Sequence, residues 1–523
     1  MTDIDEILAM QTIDALSPDE GLEAIASAID HARDHGDLSL NDRALTWCVQ
    51  VEARLSSDEQ RLQLDYYQAN AWANRQKARQ TDREAAWAWD QEELQKQIFF
   101  LRRARNGPAF DEQSAVVRCQ ILTNLANQLD TAGRFIEARE LWSEALEEEP
   151  EFWMARGNRG RGLMSYAHSL YDPGHFAIFA HSAHADLMEA LRDLDEHPEF
   201  GDQRLRPYFA GVASNVENDC NVEAVAASYR PDEPALRGNS VGRAYRLWCL
   251  QQTLFLNPLN DLGAYPIAAR DVLTLPSFVV PLDEPPVLVG FFNQLKQEFV
   301  SARWLFFDGT RPKATHLSDR DVLLYNTVDY TALGLAVEKT KIAFRMSYSL
   351  LDKIAYFLNH YLKLGIPEKK ISFRGIWREK DNGPVRAAFL ASENWPFRGL
   401  YWLSKDLFEK DYKDMTEPEA RELHELRNHL EHKYVKVHVM MMRTPPVAGT
   451  SASPFFDNFA HSVSRDDLER RTLRLLKLVR SALIYLSLGM HREEGRRREN
   501  AGADRVVAPM PLTAMNDEWK RRW

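Results

Sequence analysis

The most informative stretch for the fold is Arg427-Asn428-His429-Leu430-Glu431-His432-Lys433-Tyr434. It places an arginine five residues before a histidine on a strongly helical segment, with a tyrosine two residues further on. Arginine offers a rigid fork of hydrogen-bond donors for a phosphate group. Histidine can take or give a proton near neutral pH. Together, the two side chains can act on a phosphodiester without a metal ion.

The residues around this stretch predict a helix from about 418 to 439. Thr416 caps it and Pro418 lies in its first turn. Apolar residues at spacings of three and four give it one apolar stripe, formed by Leu423, Leu426, Leu430, Tyr434 and Val437. At about 100° per residue, Asn428 and His432 point away from that stripe, and Arg427 lies on its flank. We therefore expect His432 to face water or a second protein surface.

Simpler interpretations of the same residues exist. Arg-x4-His arises often by chance, and a solvated polar helix face would carry it without any function. His424 and His429 resemble a zincin pair, but they are five residues apart instead of four and diverge by about 140° around the helix. His429 and His432 have the spacing of metal ligands, yet only Glu425 offers a nearby third ligand. We expect no metal and no cofactor.

The segment resembles the HEPN superfamily, whose ribonucleases carry Arg-x4–6-His with a polar residue after the arginine. Arg427, Asn428 and His432 match this pattern. Tyr434 matches the longer Arg-x4-His-x-Tyr form of HEPN toxins that are paired with nucleotidyltransferase antitoxins. The resemblance implies that Arg427 and His432 are catalytic and that Asn428 and Tyr434 support them.

Two upstream segments, 348–359 and 399–406, are similar to the earlier helices of one HEPN subfamily. That subfamily often follows TPR-like repeats in bacterial proteins, and the resemblance covers roughly residues 290–490. It implies a metal-independent endoribonuclease that cuts RNA by attack of the 2′-hydroxyl, serving bacterial defence or a toxin-like stress response. It also implies a homodimer in which the two 418–440 helices face each other. The alternative is a non-catalytic adaptor that binds protein or RNA partners, because some HEPN domains are inert.

Composition sets the outer bounds. At 523 residues the chain predicts two or three domains, and 45% hydrophobic residues are enough for substantial cores. No run approaches 18 apolar residues, and the acidic start is unlike a signal peptide, so we expect no membrane segment. The four cysteines are scattered and without Cys-x-x-Cys pairs, at Cys48, Cys119, Cys220 and Cys249. They predict reduced thiols in a cytoplasmic protein.

Charge is distributed unevenly. Residues 331–523 contain 34 Lys/Arg and 25 Asp/Glu, a net charge of +9, whereas the whole chain carries −12. A basic C-terminal part next to an acidic N-terminal part suits a polyanion site at one end. Opposite charges could equally help the two parts to dock. A basic row near the C-terminus could hold RNA phosphates, although such a row is more commonly a solvated helix face: Arg470, Arg471, Arg474, Lys477 and Arg480.

The N-terminal part predicts helical repeats. Residues 119–152 place small and large apolar residues where a 34-residue TPR needs them: Leu122, Leu125, Ala126, Leu129, Ala138, Trp142 and Ala145. Gly133-Arg134 would form the turn, and Pro150 would end the second helix. A repeat cannot stand alone, so we expect an α-solenoid over roughly 40–200. Its concave face would bind a protein or peptide, or the array would serve only as a structural platform.

The predicted fold class is all-α, with a TPR-like α-solenoid followed by a HEPN helical bundle. The domain boundaries expected from sequence are a helical segment at 1–39, repeats at 40–205, a proline-broken connector at 206–286, the bundle at 287–495 and a basic tail at 496–523. Helices of the bundle are expected near 328–364, 399–413, 418–440 and 464–490, after an amphipathic helix at 291–307.

Overall fold

A computed structural model of the chain describes residues 4–281, 284–311, 314–326, 329–380, 383–408, 420–432, 434–439, 460–500 and 510–521. Helices dominate this structure, and one short pair of strands is present among the described residues. The predicted all-α class, a helical array followed by a helical bundle, is confirmed. None of the helices within the described ranges is long and apolar enough to cross a membrane.

The N-terminal array consists of helices that pack on their neighbours in the chain. They are α1 (Ile4–Ala9), α2 (Pro18–His35), α3 (Leu38–Glu52), α4 (Asp58–Arg79), α5 (Arg83–Trp87), α6 (Glu92–Asn106), α7 (Ala115–Thr131), α8 (Phe135–Glu148), α9 (Trp153–Ala167) and α10 (Pro173–Glu196). Serine caps fix several of their starts, because the hydroxyls of Ser17, Ser57 and Ser114 accept backbone N–H groups of the first turn.

The hairpin of α7 and α8 is the unit predicted at 119–152. The seven apolar positions expected to pack between its helices are all buried. Gly133 turns the chain with φ of +89°, a conformation that favours glycine. The hairpin is thus present, whereas its membership in the TPR family stays a prediction.

A middle segment follows with α11 (Arg206–Asp219), α12 (Val222–Ser228) and α13 (Ser240–Gln251). Its prolines begin short 3-10 turns at Pro258–Asp261 and Pro266–Ala268, where a proline N–H is not needed. The segment predicted as a proline-broken connector therefore contains the helices α11, α12 and α13 before its proline-rich part. The boundaries drawn from sequence stay predictions.

The C-terminal bundle contains α14 (Val287–Gly309), α15 (Leu335–Tyr361), α16 (Ala387–Leu390), α17 (Trp395–Phe408), α18 (Ala420–His432) and α19 (Arg465–Glu499), with the strands β1 (Tyr434–His438) and β2 (Ala460–Ser464). Its long helices α14, α15 and α19 pack together. Helix α19 continues nine residues beyond the predicted end at 490, into the first residues of the segment predicted as a tail at 496–523. The loop predicted around 445–450 lies outside the described residues.

The helix predicted from 418 to 439 is wrong over residues 434–439, and its predicted start with the cap at Thr416 lies outside the described residues. The helix ends at His432, and Tyr434–His438 is a strand parallel to β2. Residues 330–332 bond to the other edge of β1, since the Ala332 N–H donates to the Val437 carbonyl at 2.6 Å. Val435 and Val437 are β-branched and favour a strand once partners exist on both sides. Both partners are remote in sequence, so periodicity within 418–439 could not reveal them.

The array and the bundle share one hydrophobic core. It is continuous from Leu62 in α4 to Met490 in α19, while a smaller separate core holds α1 to α4 together. Helix α17 is buried almost completely, from Pro396 to Leu407, because it lies between the array and α19. The turn of the α7–α8 hairpin is seated against it, and the Trp395 indole donates to the Asp130 carbonyl at 3.0 Å.

Gly399→Ala tests this contact. A Cβ at Gly133 would lie 2.5 Å from the Trp395 carbonyl oxygen and 2.7 Å from the Gly399 nitrogen, so the two backbones touch at a pair of glycines. A methyl group at Gly399 must push the hairpin away, which we expect to cost about 1–3 kcal/mol of unfolding free energy. Gly211→Ala is the control, because a Cβ there meets nothing within 4 Å in helix α11. We expect it to stabilise by about 0.5–1 kcal/mol. Equal denaturant midpoints for Gly399→Ala and the wild type would contradict the contact.

Candidate active site

Helix α18 carries the candidate catalytic residues, and its apolar side fixes its position. Leu423 and Leu426 are fully buried, and Leu430 packs against the same core. These residues seat α18 on α15 and α17. The predicted apolar stripe is therefore correct as far as Leu430. Beyond it, Tyr434 and Val437 belong to β1.

Arg427 lies half-buried on α18, above the side of α15. Its guanidinium carbon is 5.5 Å from the centre of the Tyr348 ring, a cation–π contact. Its Nη1 donates to Oδ1 of Asn428 at 3.1 Å. No carboxylate of the described residues lies within ion-pair distance of Arg427. Its guanidinium thus keeps donors for a phosphate.

Two residues of α15 that sequence reasoning did not assign to the site shape the electrostatics around Arg427. Burial raises the pKa of Tyr348, the charge of Asp352 raises it further, and Arg427 opposes both. Burial also raises the pKa of Asp352. Two weaker effects lower it: the Phe373 N–H donates to Oδ1 at 2.9 Å, and Arg427 carries a positive charge. Tyr348 and Asp352 are four residues apart on one helix face. This spacing of four is the sequence signal from which Tyr348 and Asp352 could have been predicted to lie side by side.

His432 is the last residue of α18. The chain therefore places Arg427 and His432 on the same 13-residue helix, five residues apart, as the sequence indicated. The side chain of His432 lies outside the described residues, so its expected direction away from the core stays a prediction.

Tyr434 does not lie on the same helix as His432, contrary to expectation. It opens β1, is 46% exposed, and has the ammonium of Lys436 5.5 Å from its ring centre. Asn428, by contrast, stays next to Arg427 on α18 and accepts its hydrogen bond. Of the two predicted supporting residues, the structure brings Asn428 to Arg427 and places Tyr434 on a different element.

His429 and His438 are held by local contacts. Nδ1 of His429 lies 2.6 Å from the Glu425 carbonyl oxygen, and its ring stacks on that of His461 with centres 4.3 Å apart. His438 is buried between the Asp329 carbonyl oxygen at 2.8 Å and the Ser462 hydroxyl at 3.1 Å. Within the described residues there is no group of three or more His, Cys, Asp or Glu side chains that could hold a metal ion.

The basic row of α19 is not a continuous phosphate-binding face. Arg480 is buried and pairs with Asp261 at 2.7 Å, so it fastens α19 to the middle segment. Lys477 lies 3.7 Å from Glu140 of α8. Two of the five residues thus face the protein interior or the array, since α19 packs there over most of its length.

The cysteines offer no nucleophile. All four are free thiols, and three of them are buried. Burial raises the pKa of the Cys48 thiol to about 12 and that of Cys119 to about 11. A thiol with so high a pKa carries almost no thiolate at neutral pH.

Residues 279–493 match the family model described as LA2681-like HEPN. No curated protein and no solved structure matches the chain. The matched range contains α14 to α18 and most of α19, and thus the whole candidate site. The match supports placing the C-terminal region, with the candidate site, in the HEPN superfamily, as the resemblance implied.

Proposed function

We propose that this chain is a metal-independent endoribonuclease of the HEPN type. The observation that carries the proposal is the setting of Arg427. It stands on one helix with His432, and it is held by a cation–π contact and an amide rather than by a carboxylate at ion-pair distance. An arginine kept in this way can neutralise a phosphate that approaches α18.

The chemistry uses the RNA itself as nucleophile. The 2′-hydroxyl oxygen attacks the adjacent phosphorus while the bond from phosphorus to the 5′-oxygen breaks. His432 removes the 2′-hydroxyl proton or protonates the leaving 5′-oxygen, and the histidine of a second copy takes the other role. Arg427 stabilises the charge that develops on the phosphorane, an effect typically worth about 3–4 kcal/mol.

Asn428 and Tyr434 have supporting roles in this proposal. Asn428 holds Nη1 of Arg427 and thereby limits the directions that the guanidinium can take. Tyr434 begins the strand that follows α18 and exposes nearly half of its surface, which leaves it accessible to substrate or to modification. The cellular role is bacterial defence or a toxin-like stress response, with the N-terminal array binding a protein or peptide regulator.

The products of cleavage test the proposed chemistry. We expect purified protein to cut a fluorescent single-stranded RNA in EDTA and to leave a 2′,3′-cyclic phosphate and a 5′-hydroxyl. The same sequence as DNA should remain intact because it lacks the 2′-hydroxyl. Mass spectrometry of the fragments identifies the ends. Cleavage only after addition of a divalent metal would contradict the proposal. RNA binding without cleavage would favour the alternative, a non-catalytic adaptor.

The proposed site requires two copies of the chain. We expect a two-fold homodimer in which the 418–440 segments, α18 followed by β1, face each other across the axis. Multi-angle light scattering at micromolar concentration should give about twice the mass of one chain, 60.3 kDa. When the inactive Arg427→Ala chain is mixed with wild type, mixed dimers should form with an impaired shared site. The activity should then fall further than it does when the wild type is diluted with buffer alone. A fully active monomer would refute the shared site.

A further inference from the structure

The buried arginines of the described residues have carboxylate partners, with one exception. Four of the five buried arginines of the described residues form ion pairs, namely Arg102 and Arg134 with Asp406, Arg303 with Asp271, and Arg480 with Asp261. Arg398 is the fifth. It is 1% exposed and no carboxylate of the described residues lies within ion-pair distance. Burying a charge without a partner is strongly unfavourable, so the burial of the Arg398 guanidinium without a carboxylate needs an explanation.

Arg398 lies in the first turn of α17, and its guanidinium faces the short helix α5. Its Nε and Nη2 atoms are buried and have no hydrogen-bond acceptor. Its guanidinium carbon is 5.3 Å from the centre of the Trp87 ring. Burial lowers the pKa of Arg398 to about 10, which still leaves it charged at neutral pH. The cation–π contact offsets only part of the desolvation, because it satisfies no N–H group.

Trp87 supplies a second donor without an acceptor. Its indole Nε1 is buried and has no hydrogen-bond partner. Trp87 as a whole is half-buried, and Arg83 and Glu84 of the same helix are exposed, so α5 lies at the protein surface. Trp87 and Arg398, which are in contact with each other, thus contribute three buried donors that have no acceptor.

The carboxylates near this space have other partners. Asp90 accepts from Lys405 at 2.5 Å and from Arg378 at 2.6 Å. Glu393, directly before the first turn of α17, binds Arg83 through both oxygens, at 2.5 and 3.0 Å. Both of these carboxylates are therefore already paired with other cations and do not neutralise Arg398.

We propose that Arg398 and Trp87 bind a small oxyanion, a phosphate or carboxylate group, between α5 and the first turn of α17. Nε and Nη2 lie on one edge of the guanidinium and can donate in parallel to two oxygens of such a group. The indole N–H donates to one of them, and the N-terminal end of α17 adds a favourable dipole. The site joins the N-terminal array to the bundle and is independent of the proposed nuclease chemistry.

The first experiment asks whether the full-length protein carries such an anion. Purified protein is denatured, and the released small molecules are measured by ion chromatography and mass spectrometry. The protein is also dialysed after mild washing and titrated with inorganic phosphate and with acetate in separate calorimetric arms. We expect about one equivalent of released oxyanion per chain, or saturable binding in one of the arms. The arm that binds identifies the phosphate or the carboxylate as the ligand group.

Three variants make the result specific. Arg398→Met removes the charge at similar length, and Trp87→Phe keeps a ring but removes the indole N–H. Each should lower the released anion or weaken binding by about tenfold or more. Arg386→Met is the control, because Arg386 already donates through Nε to the Ile376 carbonyl at 3.0 Å. It should behave as wild type. If Arg398→Met does not fold, Trp87→Phe still decides.

The proposal is overturned by either of two results. In the first, the wild type releases no oxyanion and binds neither phosphate nor acetate. In the second, binding or release is the same in the wild type, Arg398→Met and Trp87→Phe. RNA cleavage is not a readout here, so a failure of this site and a failure of the proposed nuclease are separate outcomes.

Discussion

Alanine at His432 or at Arg427 is expected to lower the rate of RNA cleavage by about two orders of magnitude or more. His432 is proposed to move a proton in the rate-limiting step, and proton transfer by a positioned side chain contributes about 10²–10⁴-fold. Arg427 is proposed to contact the phosphate and to stabilise most strongly the additional charge that develops on the phosphorane in the transition state. Its loss should therefore lower kcat by a larger factor than it raises KM. Steady-state cleavage of a fluorescent RNA at several substrate concentrations measures both constants.

The fold should survive these substitutions. Arg427 is half-buried, and its side-chain contacts among the described residues are the Tyr348 ring and the amide of Asn428. The seat of α18 on the bundle depends instead on Leu423 and Leu426. Circular dichroism and thermal midpoints of Arg427→Ala should match the wild type closely. An inactive variant that is also unfolded would not count in favour of the site.

Nearby residues of the same type serve as matched controls. Arg345 of α15 pairs with Glu431 of α18 at 3.2 Å, and His429 stacks on His461. Arg345→Ala and His429→Ala should both retain cleavage within a few-fold of wild type. Protein purified in parallel from the double variant Arg427→Ala/His432→Ala controls for contaminating nuclease. Normal cleavage by both catalytic variants would remove the assignment and leave the adaptor function in its place.

Features that depend on neighbours in the chain could be predicted from sequence. The α7–α8 hairpin follows from small residues at Ala126, Ala138 and Ala145 and from a glycine turn, because its two helices pack on each other. The buried side of α18 follows in the same way from the spacing of Leu423, Leu426 and Leu430. The placement of Arg427 and His432 on one helix depends only on that helix.

Features that depend on remote partners could not be predicted. Strand β1 forms because residues 330–332 and 460–464 lie on its two edges, and neither is near it in sequence. The Tyr348 contact of Arg427 joins helices 79 residues apart along the chain, and only tertiary packing of α15 against α18 creates it. Similarly, nothing in the basic pattern of α19 reveals that Arg480 is buried against Asp261.

The largest expected loss of stability comes from Asp406→Asn in helix α17. Asp406 accepts from Arg102 at 2.8 and 2.9 Å and also pairs with Arg134. All three groups are buried between the array and the bundle. Removing one partner of a buried charge network typically costs about 3–5 kcal/mol, since the opposing charges stay in a medium of low polarity. Denaturant unfolding followed by helical circular dichroism measures the change.

The pH dependence of this effect has a definite sign. Burial raises the pKa of Asp406, but the charges of Arg102 and Arg134 outweigh it and hold this pKa below its usual range. The carboxylate therefore stabilises the fold above the pKa of an unfolded aspartate, about 3.9. This contribution is lost as the pH falls toward the lower pKa of the folded state. The unfolding free energies of the wild type and of Asp406→Asn should differ most near neutral pH and converge below about pH 4.

An exposed ion pair provides the comparison. Asp195 and Arg206 pair at 2.6 Å with both side chains about half exposed, at 54% and 48%. Asp195→Asn should leave the denaturant midpoint unchanged within error, because solvent screens such a pair. If Asp406→Asn were equally silent at neutral pH, the Arg102–Asp406–Arg134 network would not be what fastens the array to the bundle. The shared apolar core alone would then hold the array against the bundle. If the large effect is found, this buried network is what fastens the array to α17, the helix on which α18 is seated.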